Sequence, residues 1–485
     1  VTLVLAPLLV PLATAVLCAL TQSAPRLQRR LSLGGALGLM VCAVVLMQQV
    51  IEQGSVAVVA GNWPLPFGIE FAADRLSAAL VLIAALMVSI ALLWQGSDAD
   101  AAPWSPALHP LLHGLVAGAG AAFVTADLFN LYVWFELALI CALGLLVHGG
   151  ALRQLDATLK YFVLNVFGTL LLLAAVALLY AATGQLNFTA LGQAAAQIPP
   201  AILLPLLGML ALAFLIKAAA FPFYAWLPAS YHTLPAPVLA LFSALLTKIG
   251  IYALIRTLGD VFQPAPEFLF EALGWIALLS MVTGVLGAAY HWDMRRILAF
   301  HSISQIGYML LAIALAPRAG GAAAIFFVLH HSLVKAGLIL TAALIFRTAG
   351  HYDLRRVGGL YASKPWLGVL FLLLALSLVG IPPFSGFWGK YLIVRSALAQ
   401  GEYLWAAVAL GVGILTLYSM LKIWLEAFWK PHPDGSWRPP AATRLAPAYA
   451  GVGALVLVTV WIGLFPETLI GYVTAAAAEL HGGPP

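Results

Sequence analysis

The chain has 485 residues, of which 63% are hydrophobic and only 8% charged, with a mean hydropathy of +1.01 and a formal net charge of +5. A soluble domain carries about 25% charged residues, so the composition excludes a soluble globular enzyme and points to an all-α, polytopic membrane protein. No segment alternates like an outer-membrane strand, and the positive charge falls in spans and short loops, which gives no reason to invoke nucleic acid.

The useful unit is therefore the span of ~20 residues. Candidate spans fall, in chain order, near 2–21, 32–51, 74–95, 106–124, 128–148, 158–182, 202–222, 237–257, 269–290, 297–316, 321–346, 366–398, 404–429 and 446–465. The twelfth is interrupted by Pro382-Pro383, and Pro and His punctuate the stretches near 110 and 200–240. The first span has no basic leader and no small-residue cleavage site, so it is expected to be a retained helix rather than a signal peptide. Cys18, Cys42 and Cys141 lie in apolar runs without metal-ligand spacing and read as packing residues.

With the N-terminus outside, the loops after odd-numbered spans are cytoplasmic. They hold Arg26, Arg29, Arg30, Arg153, Lys160, Arg295, Arg296, Arg347, Arg355, Arg356, Lys364, Lys430, Arg438 and Arg444, whereas the other side holds only Arg75, Arg256, Arg318 and Arg395. That positive-inside bias predicts both termini on the outer side. Short echoes suggest an internal repeat. Thr125-Ala126-Asp127 precedes His291-Trp292-Asp293 by 166 positions, and Phe221-Pro222-Phe223 precedes Pro382-Pro383-Phe384 by 161. Inverted repeats, each with a broken helix, are a transporter signature. Chance likeness between apolar helices is the alternative.

Glu136, Lys217, Lys248, Lys335, Lys390, Lys422 and Glu426 all lie inside expected spans. A charge at mid-bilayer costs ~2.5–3.5 kcal/mol on insertion scales, so such groups usually mark an ion or proton path. Lys217 stands five residues before Pro222, which frees a backbone carbonyl one turn earlier. Glu136 is the natural counter-charge, with a static ion pair as the structural alternative. Lys248 is too deep to reach an interface easily; snorkelling is its alternative. His331 and Lys335 lie one turn apart on one helix face beside His330, where a histidine can pass a proton either way, or simply pack. Lys390 follows the broken helix. Lys422 and Glu426, at i and i+4, read as a structural salt bridge. No triad, phosphate loop, haem pair or metal-ligand set is recognisable, so neither metal nor cofactor is expected.

Several motifs resemble the antiporter-like subunits of respiratory complex I and its relatives. They are Phe221-Pro222-Phe223-Tyr224-Ala225-Trp226-Leu227-Pro228, Pro235-Ala236-Pro237-Val238, Leu245-Leu246-Thr247-Lys248, the run from Arg295 to Tyr308, and the run from Gly380 to Lys390. The resemblance covers roughly residues 70–430. Within that superfamily the chain is most similar to the D subunits of Mrp-type Na+/H+ antiporters. The run from Thr125 to Glu136 resembles their fifth helix, and Ala229-Ser230-Tyr231 stands where complex I subunits usually carry Asp-Ala-His. No long lateral helix, such as the largest complex I subunit carries, is expected after the last span.

The resemblance implies fourteen helices with two inverted five-helix repeats. The expected division is helices 1–3 over 1–105, a first repeat over 106–257, a second over 269–429, and helix 14 with a tail over 446–485. It also implies proton transfer through Glu136, Lys217, Lys248 and Lys390, with His331 and Lys335 at the polar positions of helix 11; His330 and Asp127 are secondary candidates. The implied role is a non-enzymatic, proton-translocating subunit of a multisubunit monovalent cation/proton antiporter. Its partners would be other subunits, protons, Na+ and the lipid of a bacterial inner membrane. The rivals are a proton-pumping subunit of complex I or of a membrane-bound hydrogenase, and the membrane subunit of a CO2- or bicarbonate-capturing complex.

Overall fold

The computed structural model describes residues 2–61, 63–65, 67–95, 97, 105–319, 321–435 and 445–480. Arg438 and Arg444 lie outside the described residues. The helices in chain order are α1 (Ala6–Leu20), α2 (Pro25–Gln53), α3 (Arg75–Gln95), α4 (Leu108–Val124), α5 (Leu128–Val147), α6 (Leu152–Thr183), α7 (Phe188–Ala195), α8 (Pro200–Ala218), α9 (Trp226–Tyr231), α10 (Ala236–Arg256), α11 (Glu267–Tyr290), α12 (Met294–Ala319), α13 (Ala322–Ala349), α14 (Leu360–Ser363), α15 (Pro365–Val379), α16 (Ser385–Ala399), α17 (Tyr403–Trp424), α18 (Ala446–Leu464) and α19 (Pro466–Leu480). Among the described residues, twelve helices are long and apolar enough to cross a membrane, and α4 and α15 are shorter apolar helices. The expected spans fall on these helices and on the broken pair α15–α16.

Burial sorts the helices. The spans of α10, α12 and α13 are 100%, 94% and 100% buried, whereas those of α2, α6 and α17 are 28–39% buried and turn apolar side chains outward. The three central helices pack against one another, and most of the polar chemistry sits on them. Gly250 lets two backbones meet: a Cβ there would stand 2.8 Å from Ala218 N, so α10 crosses α8 in direct contact. That crossing lies one residue beyond Lys217 on α8 and two beyond Lys248 on α10.

Two pieces of backbone recur at fixed offsets. Leu128 N donates to Leu186 O (2.9 Å) and Phe188 N to Ala126 O (2.8 Å), while Met294 N donates to Tyr352 O (3.0 Å) and Leu354 N to Trp292 O (3.0 Å). Every member of the second set stands 166 positions after its counterpart. The two helix breaks match at 161 positions. Ala220 N bonds Leu215 O (3.0 Å) and Phe223 N bonds Ala220 O (2.7 Å), as Ile381 N bonds Leu376 O (3.2 Å) and Phe384 N bonds Ile381 O (3.0 Å). Both breaks turn on a left-handed residue, Ala219 (φ 60°) and Gly380 (φ 88°). Glycine takes that conformation freely, whereas alanine pays roughly 1–2 kcal/mol.

Two features have no counterpart in the sequence reading, and a third corrects it. A hairpin, β1 (Val56–Ala60) and β2 (Ile69–Ala73), pairs antiparallel with Ala57 opposite Ala72. Its Glu70 carbonyl accepts from Ala126 N, and its carboxylate accepts from Asn187 Nδ2 at 2.7 Å. The segment after the last span is not a plain tail: α19 packs on α3 and α13, and its Glu479 pairs with Arg75. Finally, Glu426 pairs with Lys430 (2.8 Å), not Lys422. Lys422 instead reaches the carbonyls of Ala289 and His291, at 2.7 and 2.6 Å, where α11 ends. A cation over the carbonyl end of a helix is favourable, and the π-turn Leu425–Trp429 carries Glu426 toward Lys430.

Candidate functional site: a row of buried amines

Glu136 and Lys217 come together, but through a third residue. Lys217 Nζ donates to Thr169 Oγ1 at 2.5 Å, and Thr169 Oγ1 donates to Glu136 Oε1 at 2.6 Å. The helices responsible are α8, α6 and α5. Each bond is oriented, because the amine can only donate and the carboxylate can only accept. The hydroxyl does both and joins them. Lys217 is 5% exposed, and its Nζ lies 5.8 Å from the Phe135 ring centroid. Glu136 is half-buried. Beside the amine, Phe135, Tyr161, Asn165 and Trp226 line a cavity with room for about one water.

Lys248 is fully buried at mid-helix on α10 and does not turn to an interface. Its Nζ donates to Ser243 O (2.6 Å) and Thr247 Oγ1 (3.3 Å). Lys335, also fully buried, donates to Leu298 O on α12. His331 lies within electrostatic reach of Lys248, Lys335, His330 and His301. Neither of its ring nitrogens has a hydrogen-bond partner among the described residues. His330 Nδ1 bonds Ser385 Oγ at 2.9 Å, and Ser385 bonds Ser377 at 2.8 Å across the break.

Lys390 closes the row. Its Nζ donates to Val379 O (2.8 Å), a carbonyl freed by the break, and stands 4.7 Å from the Tyr308 ring centroid. The residue is half-buried, at the floor of a cavity between α16 and α17 that opens past Tyr391, Leu410 and Ile414 onto the outer flank of the bundle. No ion pair among the described residues involves Lys248, Lys335 or Lys390. Charge on Lys248 works against charge on Lys335, which lies within its electrostatic reach. Asp127 stands apart. Its Oδ1 accepts from Asn130 N at 2.7 Å as the N-cap of α5, a structural task.

Sequence reasoning passed over two members. Thr169 sits in an apolar run, where threonine ordinarily bonds its own helix, as Thr158 and Thr183 do here. His301 was visible in a polar string, His301-Ser302-Ile303-Ser304-Gln305, inside an otherwise apolar span. It is fully buried, bonds Ser419 Oγ at 2.7 Å, and lies within electrostatic reach of Lys335, Lys390 and Lys422. No hydrogen bond among the described residues joins Lys217 to Lys248.

Broken helices and charged side chains held within a bundle of apolar spans are features of ion-transporting membrane proteins. Residues 125–416 match the family described as NADH:quinone oxidoreductase/Mrp antiporter, TM, and the chain belongs to that family. It is 37% identical to the D-subunit of the Na+/H+ antiporter of Alkalihalophilus pseudofirmus, covering 99% of this chain and 97% of that one. It is 34% identical to the corresponding D-subunit of Bacillus subtilis, covering 98% and 97%. A chain in the structure of the Mrp complex from Dietzia sp. superposes with a TM-score of 0.91 at 31% identity, covering 99% of this chain and 97% of that one. A chain in an archaeal membrane-bound sulfane sulfur reductase gives 0.89 at 26% identity, with the same coverage.

Proposed function

We propose that this chain is the proton-translocating subunit of a multisubunit Na+/H+ antiporter, a transporter component rather than an enzyme. Protons move along Glu136, Thr169 and Lys217, then through Lys248, past His331, Lys335 and His301, to Lys390. The observation that carries this reading is the Thr169 hydroxyl held between an amine donor and a carboxylate acceptor in a low-dielectric bundle. The unpartnered ring nitrogens of His331 and the side chains of Ser304 and Gln305 mark polar lining where water can complete the longer steps. The D-subunit relatives support Na+ as the coupled ion and other antiporter subunits as partners in a bacterial inner membrane. The likeness to a respiratory complex supports a second reading, a redox-driven pump. Proton movement driven by a Na+ gradient in vesicles holding the assembled complex separates the two.

Thr169→Val tests the bridge. It keeps the branched shape and removes the hydroxyl. Loss of a hydrogen bond to a charged group is worth ~1.5–3 kcal/mol, so proton flux should fall by about 10- to 100-fold with assembly unchanged. Wild-type flux would remove Thr169 from the path.

The recurring antiparallel bridges bear on orientation. The first lies at the α4–α5 and α6–α7 turns, the second at α11–α12 and after α13. Counting crossings between them puts the two on opposite faces, which supports inverted repeats over residues 106–257 and 269–429. With both termini outside, a cysteine at exposed His351 should react with impermeant reagents only from the cytoplasm, and one at Trp63, 68% exposed, only from outside. The reverse pattern would overturn the topology.

A further inference from the structure

The C-terminal span is broken, and its break meets another. Helix α18 starts beside the end of α3, where Ala448 N donates to Ser97 Oγ at 2.9 Å. Helix α19 returns to the start of α3, where Tyr472 Oη donates to Arg75 O at 2.6 Å and Glu479 pairs with Arg75. From 448 to 479 the chain advances 31 residues, and from 75 to 97 only 22. At a helical rise of ~1.5 Å per residue, α18 and α19 cannot lie along α3 as one straight helix. The pair bends at Phe465 (φ −125°, ψ 62°), because Pro466 drives the residue before it out of helical geometry and lacks the N–H that would continue the ladder.

The bend lies against the break between α15 and α16. A Cβ on Gly463 would stand 2.5 Å from Pro383 O and 2.8 Å from both Phe384 Cα and Ser385 N, so the two backbones touch. A helix leaves its last carbonyls without helical donors, and inside a membrane no water replaces them. Gly463 O is satisfied by α16 itself, accepting from Trp388 Nε1 at 2.9 Å. Two residues on, Lys390 turns back over the same break. Its Nζ reaches Val379 O at 2.8 Å, and its stem crosses Gly380, where a Cβ would stand 2.9 Å from Lys390 Cδ. The place of residues 380–385 therefore sets where the amine is held. Helix α13 holds that break through His330 and Ser385, and α18 holds it through Gly463 and Trp388.

We propose that Trp388 and Gly463 are positioning residues for Lys390, and that the broken span α18–α19 is a strut fixing the break on which that amine depends. This rests on the reading of Lys390 as the last member of the proton path. A straight terminal helix would bond its own interior carbonyls. Here the bonds given up at Phe465 leave a carbonyl bonded to α16, two residues from the amine. Without that bond the first turn of α16 is free to shift against α15. Lys390 then loses its fixed place beside Val379 O and the Tyr308 ring. Tyr308 on α12 lies against the amine, and His301 on α12 and His330 on α13 are in its electrostatic reach. Helices α15 and α18 carry no charged residue, and Lys422 on α17 stands nine residues beyond Gly413, which faces the amine. On α16 itself the other charge is Arg395, which lies over the Tyr391 ring.

The test uses the assembled complex in vesicles, with cation-driven proton flux per assembled complex read by a pH-sensitive dye across a pH series. Trp388→Phe keeps a ring against Phe387 and Tyr391 and removes the N–H. Flux should fall about threefold to tenfold, the factor that one neutral hydrogen bond represents, with a displaced pH profile and normal assembly. Gly463→Ala pushes the two backbones apart from the α18 side and should do the same. Because both act through one contact, the double variant should fall no further than the slower single variant. Wild-type flux and pH profile per complex in Trp388→Phe overturn the strut, whether or not less complex assembles. So do losses that multiply in the double variant. If Gly463→Ala does not assemble, Trp388→Phe decides alone. Lys390→Met serves as the control. If it is inactive while Trp388→Phe is normal, the strut fails and the proton path stands. If it transports normally, the path fails at Lys390 and the positioning role falls with it.

Discussion

Glu136→Gln and Lys217→Ala should each abolish cation-driven proton movement, a loss of about 100-fold or more, with the complex still assembled. Glutamine can still accept the hydrogen bond of Thr169, so the geometry at α5 and α6 survives while the titratable group is lost. Lys217→Ala removes the amine and leaves Thr169 beside a pocket with room for about one water. The competing idea, a static structural pair, has a different signature. Breaking a buried ion pair by removing one partner costs ~3–5 kcal/mol, so a purely structural pair would show its loss first as failed assembly. Lys217 touches Glu136 only through a hydroxyl, an expensive arrangement for stability alone and a serviceable one for passing a proton.

Lys248→Met should separate function from stability still more clearly. The amine has no carboxylate partner among the described residues, only one carbonyl and one hydroxyl. A charge so placed costs several kcal/mol, and an apolar side chain of similar length in the same core removes that cost. The complex should therefore be at least as heat-stable as wild type, while transport is lost by about 100-fold or more. A lysine kept for structure predicts the opposite result, a less stable complex with near-normal flux. Such opposition between stability and activity is expected where a site holds groups that the fold alone would not choose.

Much of this is legible in the sequence alone, for a simple physical reason. In a chain this apolar, a charge inside a span stands out, so Glu136, Lys217, Lys248, Lys335 and Lys390 can be read directly. The breaks at 219–225 and 380–384 are legible because proline announces itself. Two echoes of a few residues, at offsets of 166 and 161, mark backbone bridges and turns that recur bond for bond. What stays hidden depends on tertiary contact. Nothing in the sequence says that Thr169 faces two charges rather than its own helix. Trp388 stands 75 residues from Gly463, so their meeting cannot be read locally. The hairpin at 56–73 and helix α19 escape because neither has the length or apolarity that span counting detects. Glu426 matches Lys422 by i, i+4 spacing, but the π-turn together with the carbonyl end of α11 decides otherwise.

The central claim is that Glu136 takes up and releases a proton during transport. Difference infrared spectroscopy on the complex in membranes tests it most directly, comparing the Na+-loaded and proton-loaded states. The expected result is a carboxylic-acid C=O band that appears on proton loading, shifts in Thr169→Val, and is absent from Glu136→Gln. A band unchanged in Glu136→Gln, or no carboxyl signal in a complex that is transporting, would contradict it.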